Sequence, residues 1–401
     1  MQKLHRDFDR REFLQFSGHA VGVLAVCGGS VALADSPDGR SEKSNLIVHQ
    51  EVPHNAEPAL QNLVKSWLTP TDQFYVRSHA PVPKIDPDSF RLAVEGLVDK
   101  PIKVSLHQLQ KQFAKQTVVA TMTCAGNRRS EHSLIHPVKG VPWGAGAIGN
   151  AEWGGVLLSD LLKKAGVKDA ARHVCFEGVD EIERESGVIP FGGSIPLKTA
   201  IGDSKQMPGA LVCYEMNGKE LTPDHGFPMR TVVPGYIGAR SVKWLGKIIV
   251  SDQPSTNHYV ANAYKVVTEG TNEEWRDAQP IYEFPMNSVT CTPVTSDKLQ
   301  PGELTIRGYA LAPGNSNRTI AKVEVSSDGG KNWKKAEFTK PAQPFCWRIW
   351  TVKMKLPIGK HELIVRAMDS AGDLQAEKTE WNLKGYLFNA WHRTQIEVAT
   401  K

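Results

Sequence analysis

The sequence predicts a mixed α+β domain followed by a β-sandwich of the immunoglobulin-like class. Three observations carry this prediction. From Phe74 to about Val250, short β-rich runs alternate with helical patches. Past about residue 275 the helical periodicity disappears and short strand-like runs recur at regular spacing. Among those runs, Ser327-Asp-Gly-Gly330 is a hairpin signal, because its glycines reach positive φ without a Cβ clash.

The elements follow in order. Residues 35 to about 70 are polar with scattered prolines and read as an irregular leading arm. Phe90–Gly96 alternates as a strand and ends in a turn. Ser105–Phe113 reads as a short helix behind a serine cap. Thr117–Thr123 is rich in β-branched residues and reads as a strand leading into Cys124. Leu157–Ala165 reads as a helix stopped by Gly166. His173–Glu177, Thr231–Val233 and Val242–Val250 read as strands. In the second half the strands expected are Leu304–Ala310, Ala321–Ser326, Lys334–Phe338, Trp347–Met354 and Glu362–Met368. The organisation expected is an export signal over 1–34, the arm over 35–72, the α+β domain over 73–274 and the sandwich over 275–401.

The chain has 401 residues and a formal net charge of +5, mild for its size. With no Lys/Arg run and no basic-aromatic repeat, it does not resemble a nucleic-acid binder. Asp9-Arg10-Arg11-Glu12-Phe13-Leu14 precedes an uncharged stretch that runs to Ala34. That stretch holds Gln15, Ser17, Gly18 and His19, too polar for a membrane span, which wants about 20 mostly apolar residues. Its end, Ala32-Leu33-Ala34, is a small-x-small cleavage site. Together these features read as a twin-arginine signal cut after Ala34, with a periplasmic product and no later membrane span. That route carries folded proteins, commonly those whose cofactor is inserted in the cytoplasm, so the signal favours a redox cofactor enzyme. Cys27 lies in the signal, leaving Cys124, Cys175, Cys213, Cys291 and Cys346. The number is odd and no Cys-x-x-Cys pair occurs, against a disulfide framework, a zinc ribbon, a c-type haem or an iron–sulfur cluster.

Thr121-Met-Thr-Cys-Ala-Gly-Asn-Arg-Arg-Ser130 carries the chemistry. A strand delivers Cys124 to a tight turn, and Arg128 and Arg129 follow at once. Two permanent cations beside a thiol favour its thiolate, a soft ligand for metals that prefer sulfur. The local pattern alone leaves a nucleophile, a metal ligand and a buried core cysteine all open.

This segment resembles the cysteine loop of the sulfite oxidase family of molybdenum enzymes. The likeness extends, in the same order, through Phe74-Tyr-Val-Arg-Ser-His79, Val138-Lys-Gly-Val-Pro-Trp143, Val174-Cys-Phe-Glu-Gly-Val-Asp180, Tyr214-Glu-Met-Asn-Gly218 and Asp224-His-Gly-Phe-Pro-Met-Arg230. It continues through Val233-Pro-Gly-Tyr-Ile-Gly-Ala-Arg-Ser-Val-Lys-Trp-Leu245 and Asn389-Ala-Trp-His-Arg393. The chain resembles haem-free periplasmic sulfite dehydrogenases of bacteria in that no His-Pro-Gly-Gly haem-domain segment precedes residue 74.

The resemblance implies a molybdopterin-binding α+β domain, an immunoglobulin-like dimerisation domain and hence a homodimer. It implies Mo-molybdopterin with Cys124 as the protein ligand to the metal, and no haem in this chain. Tyr75, Val76, Arg77, Ser78, His79, Asp180, His225, Arg230, Ser241, Val242 and Lys243 would bind the pterin and its phosphate. Arg77, Arg129, Trp143, Tyr264 and Lys384 would line an anion pocket at the metal. The implied reaction is oxygen-atom transfer to sulfite, with two electrons leaving singly to an external acceptor, a c-type cytochrome. Use of oxygen, as in plant members, is the alternative.

Two departures from the family pattern stand out. Members with sulfite oxidase activity usually carry Arg where this chain has Lys384, within Trp381-Asn-Leu-Lys-Gly385, so a bidentate fork is lost. The stretch between Asp180 and Phe191 is longer and more charged than in animal members. Ser130-Glu131 is the sulfite-type continuation, where nitrate reductases usually continue with Lys-Glu. The fused sandwich counts against exported sulfoxide reductases, and the intact cysteine loop against a non-catalytic binding module.

Overall fold

A computed structural model describes residues 46–203 and 208–400. The signal expected over 1–34 lies outside the described residues, as does the start of the arm.

The first domain is built on two sheets. In one, the order is Gly192–Pro196, His173–Gly178, Leu245–Ser251, Leu92–Gly96, Ile102–Val104. Leu245–Ser251 runs parallel to Leu92–Gly96 and antiparallel to His173–Gly178. In the other, Gln116–Thr123 pairs with Ile148–Leu157, which pairs with Leu211–Met216, flanked by Lys219–Glu220 and Arg230–Val232. Short helices pack against the sheets. Leu106–Gln112 starts at a capping box, in which Ser105 Oγ accepts the Gln108 N–H at 3.1 Å and Gln108 Oε1 accepts the Ser105 N–H at 2.8 Å. Leu158–Ala165 buries Leu158, Leu161, Leu162 and Ala165, the one-face spacing of a helix, and stops at Gly166 with φ +72°.

The second domain packs a four-stranded sheet (Asn287–Thr292, Glu303–Leu311, Arg348–Lys355, Glu337–Phe338) against a five-stranded one. The latter runs Lys298–Leu299, His392–Val398, Gly359–Asp369, Ile320–Ser326, Lys334–Lys335. Ile306, Val323, Trp350, Leu363 and Val365 fill the space between the sheets. The hairpin expected at Ser327–Gly330 forms, with Gly329 and Gly330 at φ +77° and +87°.

Three readings need correction. The arm is not irregular: Leu46–Gln50 and Asn55–Pro58 form a hairpin whose inner strand pairs with Val76–Arg77. Its polar surface conceals a strand, Asn55–Pro58, that is buried throughout. The strand expected from Val242 begins at Leu245, because Trp244 takes a positive φ of 50° and anchors its indole N–H on Pro223 O at 2.9 Å. Ser241, Val242 and Lys243 are thereby released into a loop. Lys334–Phe338 is two strands, one on each sheet, because the chain crosses between them at buried Ala336.

Candidate active site

The strand Gln116–Thr123 delivers Cys124 to the domain's interior, where it is 8% exposed. Its N–H donates to Ala147 O at 2.9 Å, and Gly126 N–H donates to its Sγ at 3.4 Å. The two arginines that follow diverge. Arg128, at φ +68°, is fully buried and turned toward the sandwich. It pairs with Glu131 and donates to Asn287 Oδ1 and Ala390 O, each at 2.7 Å. The expectation of two cations at the thiol is corrected to one, because Glu131 neutralises Arg128 and the left-handed backbone carries it away. Arg129 stays beside the cysteine turn: a Cβ on Gly126 would stand 2.6 Å from its Nη2.

Beside Cys124 opens a cavity. Tyr75, Arg77, Ser78 and His79 enter it from the strand Val76–Arg77 and the residues around it. Asp180 follows the strand His173–Gly178, and His225 lies in a 3-10 turn at Pro223–His225. Arg230 opens a strand, while Ser241 and Lys243 come from the loop that Trp244 terminates. Tyr264 closes the wall after a π-helical turn.

Burial dominates the electrostatics. Burial, opposed by Asp224 and Asp180 and helped by Arg230 and Arg77, lowers Lys243 to about 7. Its Nζ donates to Ser78 Oγ at 2.7 Å and Asp224 O at 2.8 Å. Burial takes Arg230 to about 10; its guanidinium donates to the carbonyls of His225 and Ser241, with no carboxylate partner among the described residues. Burial first, then Arg77 and Lys243, holds His79 well below its ordinary range, and burial takes His225 to about 4. Arg77 Nη2 lies 2.8 Å from His79 Nε2, and Tyr264 Oη lies 3.3 Å from the same atom. An arginine N–H only donates, so that ring nitrogen is the acceptor. Burial raises Tyr264 strongly, keeping its hydroxyl protonated.

This donor set fits an anionic, phosphate-bearing cofactor: Arg77, Arg230 and Lys243 converge where Asp180, itself raised by burial, and Asp224 are the facing carboxylates. Among the described residues no three His, Cys, Asp or Glu side chains could share a metal ion. A metal at Cys124 therefore needs ligands that come with the cofactor.

Other residues expected at the site do not line the cavity, and Arg129, beside the cysteine turn, is one of them. Val76 and Val242 are buried supports; Val76 pairs with Ala56, and the Val242 N–H donates to Thr231 Oγ1 at 2.7 Å. Trp143 is 0% exposed, packed edge-on to His49 at 5.2 Å, and its indole N–H has no partner among the described residues. The Lys384 placement is corrected: its side chain is exposed, with Nζ 5.4 Å from the centre of the Trp275 ring, and only its carbonyl reaches Arg129. The sequence reading also missed three contributors. Asp224 was one residue from a named position. Tyr386 stacks on Tyr264 at 5.3 Å and 15°. Glu57 sat in the supposed irregular arm.

Residues 79–259 match the oxidoreductase molybdopterin binding domain family, and residues 278–399 match the Mo-co oxidoreductase dimerisation domain family. Sulfite oxidase of Gallus gallus is 41% identical over 87% of this chain and 77% of that protein. Sulfite oxidase of Arabidopsis thaliana is 38% identical over 88% of this chain and 94% of that protein. Among solved structures, the sulfane dehydrogenase SoxCD from Paracoccus pantotrophus superposes with a TM-score of 0.74 at 26% identity, covering 88% of each chain. Fold and site thus define a molybdopterin-dependent oxidoreductase with a dimerisation domain. The chain belongs to the sulfite oxidase family.

Proposed function

We propose that this chain oxidises sulfite to sulfate by oxygen-atom transfer and passes two electrons, one at a time, to a c-type cytochrome. The observation that carries the reading is the group of buried and half-buried cations beside Cys124 whose donors end on uncharged acceptors, an arrangement that favours anions. Identity of 41% to a sulfite oxidase supports the substrate.

Arg230, Lys243 and Ser241 would hold the phosphate end of the cofactor, with His225 and Tyr75 beside them, and Cys124 would supply the protein sulfur to molybdenum. When bound, the molybdopterin centre supplies the two-electron redox couple and the oxygen atom that is transferred. Arg77 and Arg129 would hold the sulfite anion. Tyr264 keeps its proton on Oη and turns it toward neutral His79, whose Nε2 also accepts from Arg77 and orients that guanidinium. We further propose export to the periplasm, cleavage after Ala34 and pairing of two copies through the sandwich.

The test uses full chain purified from cells that build molybdopterin. Molybdenum near one per chain and sulfite-dependent reduction of cytochrome c are expected. Oxygen consumption without cytochrome reduction assigns the acceptor to oxygen, and turnover with nitrate but not sulfite reverses the choice of reaction.

A further inference from the structure

Among the described residues Arg129 has no acidic partner. Its Nε donates to Lys384 O and its Nη1 to Val141 O, both at 2.8 Å. Glycines make the space: a Cβ on Gly140 would stand 3.2 Å from Nη1, and one on Gly385 2.8 Å from Cγ. One wall of this slot is the ring of Tyr386, its centre 5.3 Å from Arg129 Cζ. The same ring stacks on Tyr264, whose hydroxyl meets His79 and, through it, Arg77. Tyr386 is itself rigid at the backbone. Its N–H donates to Asn382 Oδ1 and its carbonyl accepts from Asn382 Nδ2, each at 2.9 Å, and the next N–H donates to Ala125 O at 2.8 Å.

A carboxylate could orient Arg129 equally well, but it would cancel the charge an anionic substrate needs. Carbonyl oxygens and an aromatic face orient a guanidinium and leave its full charge available. We propose that Tyr386 is a positioning residue for the anion site: its ring clamps Arg129 and couples it, through Tyr264, to the Arg77 side of the pocket. Burial keeps the Tyr386 hydroxyl protonated, so the ring adds no negative charge beside Arg129. That Arg129 serves an oxyanion site, and that the oxyanion is sulfite, rests on the function proposed above; the contact of Tyr386 with Arg129 does not.

The test measures sulfate binding by calorimetry, together with KM and kcat for sulfite, on molybdenum-loaded full chain. Tyr386→Leu is expected to weaken sulfate binding and raise KM about tenfold, with kcat changed much less. Tyr386→Phe keeps the ring and is expected to bind sulfate within about twofold of the parent. In an Arg129→Lys background the Leu substitution is expected to have little further effect. If the Leu variant does not fold, Tyr386→Met gives the same comparison. Unchanged sulfate binding on loss of the ring overturns the proposal, as does a Phe variant as weak as the Leu variant, an undiminished effect in the Arg129→Lys background, or a parent protein that binds no sulfate. If sulfite is not oxidised, the substrate assignment fails while the sulfate series still decides the clamp.

Discussion

Arg128 and Glu131 form a two-point ion pair, 2.7 Å at each carboxylate oxygen, where the cysteine loop meets the β-sandwich. The Arg128 side of the pair is fully buried and also reaches Asn287 of the sandwich. Arg129, one residue on, faces the catalytic cavity's cysteine turn instead.

The two neighbours should therefore fail differently. Arg128→Lys keeps a charge but loses the fork, and is expected to destabilise the fold by about 3 kcal/mol with KM for sulfite little changed. Arg129→Lys is expected to raise KM at least tenfold with a small change in stability. Urea unfolding beside steady-state kinetics checks both. Equal effects of the two substitutions on KM would contradict the division of roles.

Glu57 supports a second prediction. Its two oxygens accept the Gly144 and Gly146 N–H groups at 2.7 and 2.9 Å, and Ala147 in turn holds the Cys124 N–H. Glu57→Gln places an amide donor against one of those donors. A loss of about 2 kcal/mol in unfolding free energy is expected. A neutral result would mean the hairpin does not brace the cysteine loop.

Cys124→Ser is expected to leave a folded protein, since among the described residues the thiol's hydrogen bond is a weak acceptance from Gly126, with sulfite turnover largely gone. Circular dichroism and the sulfite assay check it, and full turnover in that variant would refute the ligand role.

Lys243 predicts a pH dependence. Burial lowers its folded pKa to about 7 from 10.5. Between those values the unfolded chain binds more protons, so the penalty is complete below about pH 7 and fades as pH rises toward 10. In cofactor-free protein, Lys243→Met is expected to melt higher than the parent at pH 6, with the gap narrowing by pH 9. With the phosphate-bearing cofactor bound, the ammonium gains a counter-charge and the gap should reverse. A gap independent of pH would remove the argument for an unneutralised cation.

Motifs and periodicity made much of this protein legible. The strand into Cys124, the capped helix at Ser105, the stop at Gly166 and the change to a sandwich all rest on local patterns, because capping and alternation act over a few residues. Resemblance placed most cavity residues, Arg77, Arg230 and Lys243 among them, since they lie in contiguous motifs. Tertiary structure alone decided what adjacent side chains face. Arg128 and Arg129 look alike in sequence, and a left-handed backbone separates them. Lys384 keeps the position of a pocket residue, yet its ammonium lies over Trp275 in solvent. Tyr386 and Glu57 act through contacts with residues far away in the chain, made when separate sheets and loops pack together, and no local periodicity encodes such a contact.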